Sequence, residues 1–166
     1  RLDEDGWLRT GDLGRVDPDG FLTITGRKRD VIITANGKAI APQPIIKALR
    51  EEPLIDQVLI HGDRRHFLTA LFSLDRANLS AFANEHGFEE GFETLARHPE
   101  VYRVVESAVE RVNGTLARHE RVRKFAILGS ELTPEDGEIT QTRVLRRQVA
   151  AERHRALLDS FYSDSY

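Results

Sequence analysis

Between Gly6 and Pro42 the chain reads GWLRTGDLGRVDPDGFLTITGRKRDVIITANGKAIAP, which packs turns, glycines and basic residues more densely than any other part. Two short apolar-alternating runs, residues 13–16 and 21–25, flank Asp17-Pro18-Asp19-Gly20. Pro18 presets φ and Gly20 supplies φ > 0, so the pattern predicts a β-hairpin. A basic knot follows, Gly26-Arg27-Lys28-Arg29-Asp30, then an apolar strand, Val31-Ile32-Ile33, and a second turn, Ala35-Asn36-Gly37-Lys38. Gly37 is the natural left-handed residue of that turn.

The rest of the chain alternates strand and helix signals. Residues 44–51 predict a helix with Ile45, Ile46 and Leu49 on its apolar stripe and proline in its first turn. Residues 54–61 and 67–74 predict an antiparallel strand pair. His61 and His66 flank its turn; without a third ligand at matching spacing they read as exposed turn residues rather than a metal site. A helix over 77–86 should stop at Gly87, a shorter one should cover 88–97, and a long one should start at Pro99. In the long helix Val101, Val104, Val105, Ala108, Val109, Val112 and Leu116 recur at helical spacing and read as core, with the intervening Arg and Glu residues on a solvated face. Residues 122–128 predict a third strand. Residues 148–162 predict one amphipathic helix burying Val149, Leu157, Leu158 and Phe161, and 163–166 a frayed tail.

The 166 residues suit one ordinary domain or a small domain with an appendage, and 40% hydrophobic with 31% charged residues is a globular balance. A formal charge of −3 makes no electrostatic case for nucleic acid. With no cysteine there is no disulfide framework or thiolate metal site, which fits a cytoplasmic setting. No apolar run approaches the ~20 residues of a membrane span. The chain starts at Arg1 in mid-pattern and reads as a fragment.

Gly-Trp-x-x-Thr-Gly-Asp (6–12), a hairpin, Gly-Arg-Lys-x-Asp (26–30), an apolar strand, Gly-Lys (37–38) and Ala-Pro (41–42) stand in the order found in adenylate-forming enzymes. Over nearly its whole length the chain resembles the carboxyl-terminal part of such an enzyme, and most closely that of a long-chain fatty-acid:CoA ligase. The resemblance implies an α/β (α+β) fold: a small mixed sheet of about three strands with flanking helices, preceded by the hairpin. Residues 1–28 would be the tail of a large amino-terminal domain, and 29–166 a mobile lid with a helical insert at about 76–118.

The resemblance also assigns roles. Asp12, otherwise a turn aspartate bonding its own backbone, would accept the ribose hydroxyls of ATP; Arg27 would contact the nucleotide. Arg29, a basic variant of the usual Asp or Lys, would be the hinge. Asn36, Gly37 and Lys38 would line the path of the CoA pantetheine arm, although Lys38 by itself reads as a solvated lysine. In the last motif, residues 131–147, the family carries a lysine that serves adenylation. Ungapped alignment on Arg146-Arg147 puts Arg143 there, or Val144 under the long-chain pattern, and no lysine follows Lys124. Arginine is planar and larger, and does not replace lysine at a fixed site without consequence.

The implied reaction joins a fatty acid to CoA through acyl-AMP, using ATP, with Mg2+ held mainly by the missing amino-terminal domain. That domain would be the principal partner, with peripheral membrane association of the parent and no nucleic acid. The fragment alone is expected to be inactive. Two alternatives stand beside this: a degenerate, non-adenylating homologue that binds nucleotide or acyl-adenylate, and a fatty-acyl-AMP ligase that loads a carrier protein.

Overall fold

The structure is a computed structural model that describes residues 2–163. β1 (Asp12–Val16) and β2 (Leu22–Arg27) form an antiparallel hairpin. Its turn is fastened as the sequence requires: Asp17 Oδ1 accepts from the Asp19 and Phe21 amides at 3.0 and 2.9 Å, and Gly20 has φ 88°. The register slips between Leu13 and Gly14, where a Cβ on Gly14 would lie 2.8 Å from Leu22 Cδ1 and 3.2 Å from the Thr23 carbonyl. A side chain there would displace the Leu22 tip and crowd the Thr23 carbonyl, so the bulge favours glycine.

A single 3-10 turn, Lys28–Asp30, links the hairpin to a short pair, β3 (Ile32–Ile33) and β4 (Ala39–Ile40), joined through Gly37 at φ 71°. Helix α1 (Pro42–Leu49) starts two residues before the predicted point. The physical reason is that both Pro42 and Pro44 fall in the first turn, where backbone N–H groups have no intrahelical acceptor to lose.

The central sheet has the order β5 (Ile55–His61), β6 (Leu68–Leu74), β7 (Val122–Ile127), with β5–β6 antiparallel and β6–β7 parallel. The parallel step is bridged by α2 (Arg76–His86), α3 (Phe92–Ala96) and α4 (Pro99–Thr115). Helix α2 is capped by Asp75, which accepts from the Asn78 amide at 2.8 Å, and it ends at left-handed Gly87, φ 73°. α3 is shorter than predicted because extended Gly91 forms its N-cap. The start of α4 is capped by the His98 ring, which accepts from the Glu100 amide at 3.2 Å.

Both faces of the sheet are covered, which is why successive residues are apolar at 58–60 of β5 and 70–72 of β6. Val58, Ile60, Ala70 and Phe72 face a core shared with α1, α2 and α4. Leu59 and Leu71 point the other way, into a second cluster with Leu128, Leu132, Ile139, Ala150 and Leu158. Val101, Val105, Ala108, Val109 and Val112 of α4 are buried, as their spacing predicts. On its outer face the pair that forms is Arg103 with Glu100, one turn back at 2.7 Å.

Three expectations are corrected. The carboxyl-terminal helix is two, α5 (Arg147–Arg153) and α6 (Arg155–Ser160), broken at His154. The His154 ring bonds buried Glu138 at 2.9 Å, and the inward face runs through Ala150, His154 and Leu158, so that Leu158 is buried while Val149 and Leu157 are exposed. Finally, His61 is half-buried rather than exposed: it sits beside the Tyr162 ring, 6.1 Å between centroids, and its Nε2 is buried without a partner. Of the predicted tail, 164–166 lie outside the described residues.

Candidate functional site

Asp12 and Arg27 carry opposite charges and are direct partners in space. The hairpin register sets them across from each other, and Arg27 Nε stands 3.3 Å from Asp12 Oδ1. The Asp12 amide donates to Thr10 Oγ1 at 3.1 Å, and the Lys28 amide to the Gly11 carbonyl at 2.7 Å. These bonds shape an open cleft lined by Thr10, Gly11, Arg27, Lys28 and Arg29. It presents cations on one wall and a carboxylate at its edge, a combination that suits a ligand carrying both phosphate and hydroxyl groups.

Arg29 lies in the 3-10 turn with its side chain 75% exposed; its nearest carboxylate oxygen, on Asp30, is 3.9 Å away. That leaves the side chain largely in solvent, with one long ion pair. Asn36, Gly37 and Lys38 occupy the exposed β3–β4 turn. This turn is joined to the β5–β6 turn by two backbone bonds, Arg64 N to the Ile33 carbonyl at 2.7 Å and Ala35 N to the Arg65 carbonyl at 2.9 Å. Asp63 Oδ1 adds a third bond from the Ile33 amide at 3.1 Å.

Arg143 sits apart from that cleft. It closes a tight turn in which its amide donates to the Thr140 carbonyl and the Thr140 amide to the Val144 carbonyl, both at 2.9 Å. Its φ of 57° is left-handed, unusual for a residue with a side chain. Two β5 side chains hold it there. Arg143 Nη2 donates to Asp56 Oδ2 at 2.6 Å, and Gln57 Nε2 to the Arg143 carbonyl at 3.1 Å. Glu131 Oε1 lies 4.0 Å from the same Nη2. Neighbouring Val144 is 60% exposed.

Two residues of this region escaped the sequence reading. Asp56 is a nearly buried acid within an apolar strand, and that misfit was itself the available signal: such a carboxylate demands a cation. Arg147 donates through Nη1 to the Asp30 carbonyl at 2.6 Å, next to Arg29. No sequence signal points to that pairing across 117 positions. Among the described residues no group of three or more His, Asp or Glu side chains is placed to hold a metal ion.

A family model described as "AMP-binding enzyme C-terminal domain" matches residues 29–166, and the chain belongs to that family. Relatives include the long-chain-fatty-acid--CoA ligase FadD15 of Mycobacterium tuberculosis, 38% identical over 96% of this chain and 27% of its own length. The human long-chain-fatty-acid--CoA ligase ACSBG1 is 37% identical over 98% of this chain and 25% of its own. The chain thus spans about a quarter of the length of these curated relatives. Among solved structures, the adenylation domain of a carboxylate reductase from Mycobacterium chelonae superposes with a TM-score of 0.73 at 24% identity, over 98% of this chain and 24% of that one. The corresponding domain from Segniliparus rugosus gives 0.73 at 20% identity, over 99% of this chain and 24% of that one. At these identities the two structures establish the shared fold, a mixed sheet with flanking helices.

Proposed function

We propose that this chain is the lid of an ATP-dependent long-chain fatty-acid:CoA ligase, with residues 1–28 closing a large preceding domain and 29–166 forming the moving part. The observation that carries the reading is the pairing of Asp12 with Arg27 on a cationic cleft at the foot of the lid, in a chain 38% identical to such a ligase.

The chemistry runs in two steps. A fatty-acid carboxylate oxygen attacks the α-phosphorus of ATP, and pyrophosphate leaves. The CoA sulfur then attacks the acyl carbon after losing its proton, and AMP leaves. Asp12 accepts the ribose hydroxyls and Arg27 contacts the nucleotide. Rotation about Arg29 exchanges the lid faces between steps, bringing the Asn36-Gly37-Lys38 turn to the pantetheine arm. Side-chain-free Gly37 leaves room for that thin arm. Mg2+ would neutralise the phosphates from the preceding domain; no described residue here is assigned to it.

A second reading is supported by the Arg143 ion pair. The first step calls for a cation where negative charge builds up. Arg143 is held by Asp56 and Val144 is apolar, so neither offers a free charge from this loop. A lid of this kind would serve thioester formation and leave adenylation slow.

The test uses the protein that carries this chain together with its large domain. Palmitate-dependent pyrophosphate release and acyl-CoA formation are followed in wild type, Arg143→Lys and Val144→Lys. Robust wild-type turnover in both steps supports the ligase. Slow pyrophosphate release, accelerated by Val144→Lys, with normal thioester formation from supplied acyl-AMP, supports the second reading. Silence in both steps for all three proteins would overturn both.

A further inference from the structure

We propose that Arg147 is a positioning residue that couples the hinge turn to the loop carrying Arg143, an inference that rests on the ligase reading above. Arg147 opens α5 directly behind that loop, and its guanidinium reaches back to the Asp30 carbonyl at 2.6 Å. The group is half-buried and its bonded partner is a neutral oxygen. Burial weakens its hold on its proton, while the Asp30 and Asp63 carboxylates act against that through space. Withdrawing a guanidinium from water for one carbonyl carries a desolvation cost, which the nearby Asp30 and Asp63 carboxylates offset in part.

The bond completes a stiff connection. On the loop side, Arg146 N donates to the Glu138 carbonyl at 2.7 Å, Ile139 bridges Leu145, and Arg143 is anchored on Asp56. From the Asp30 peptide to the Arg143 turn there is therefore a continuous run of bonded groups. Arg29 stands just before that run, exposed and without a comparable tether. A rotation about Arg29 accordingly begins at the first peptide that Arg147 holds, and the loop travels with it as one body. Without the bond, the backbone beyond Arg29 bends as well, and the loop arrives with a spread of positions. Misplacement by about 1 Å can cost on the order of a hundredfold in rate.

The experiment again uses the protein that carries this chain with its large domain. Pyrophosphate release and thioester formation from supplied acyl-AMP are measured separately for wild type, Arg147→Met and Arg147→Lys. Arg147→Met should lower kcat for pyrophosphate release by about tenfold or more, with a smaller loss in thioester formation, which uses the Asn36-Gly37-Lys38 turn, and with KM for ATP and CoA within about twofold. Arg147→Lys should recover most of the loss, because an ammonium can make the same single bond. A second readout locates the side chain. Burial holds the His61 imidazole below its usual range, Arg65 and then Arg147 add to that, and Asp159 and Asp63 oppose them. His61 followed by NMR should therefore titrate higher in Arg147→Met. Equal kcat in wild type and Arg147→Met would overturn the coupling role alone. So would a lysine variant as slow as the methionine variant, or an unmoved His61 titration. A wild type silent in both steps would overturn the ligase reading and the coupling role with it.

Discussion

The β1–β2 hairpin and the β5–β6 pair are both antiparallel and both rich in branched and aromatic residues, yet they end in opposite surroundings. Phe21 on the hairpin is 70% exposed, and Val16, Leu22 and Ile24 stand open beside it. Phe72 on β6 is 0% exposed, and every residue of that strand is buried. Strand geometry needs only turns and alternation; burial needs something to pack against. The body supplies its own cover from α1, α4 and α5, whereas on the hairpin α1 reaches the end of β2 at Gly26 and leaves Val16, Phe21, Leu22 and Ile24 open. Under the ligase reading, the hairpin's apolar residues belong to the core of the preceding domain.

The sharpest way to break this contrast is Phe72→Ala. Removing a fully buried ring should cost about 3–5 kcal/mol, read from urea unfolding of this chain; a loss below about 1 kcal/mol would mean that the sheet is not the core. Asp56→Ala comes next. It strips Arg143 of its partner, but the guanidinium is half exposed and water compensates, so about 1–2 kcal/mol is expected. A double-mutant cycle with Arg143→Ala should recover part of that as coupling; strict additivity would show that the pair does not act as one.

A smaller effect comes from pH. His61 has its folded pKa lowered, first by burial and then by Arg65 and Arg147. The unfolded chain therefore takes up a proton near the ordinary histidine range of about 6.5 while the folded chain does not. Stability contributed by neutral His61 is present above about pH 6.5 and is lost as pH falls toward the lower folded value. Tm should decline between about pH 7.5 and 5.5, and His61→Gln should flatten that slope; an unchanged slope would clear His61 of the effect. The smallest change is expected on the hairpin: Phe21→Ala should move the stability of this chain by no more than about 0.5 kcal/mol. A loss as large as that of a core residue would mean that the body covers the hairpin after all.

Local signals were legible wherever a turn or cap decides the backbone. Pro18 and Gly20 marked the hairpin, Gly87 ended α2, and Pro99 opened α4, because each acts through φ at its own position. The run 148–162 was misread as one helix because helical periodicity does not reveal a break whose geometry goes with a bond to a distant residue. That bond is His154 to Glu138. His61 was placed at the surface because nothing near it in sequence announces Tyr162. The motif residues of the site could be named from the resemblance, but not their partners. The Asp12–Arg27 pair depends on a register that includes a bulge.

What the sequence by itself determined is the order of elements, the position of the main turns and the two-sided apolar character of the central strands. Those follow from short-range sterics and from periodicity. What only the tertiary structure decided is where the charges go: Arg143 to Asp56, Arg147 to the Asp30 carbonyl, and Arg29 largely into solvent beside them. An arginine side chain carries the same charge wherever it stands. Its role depends on which oxygen lies within about 3 Å, and only the folded chain brings positions 87 and 117 residues apart to that distance.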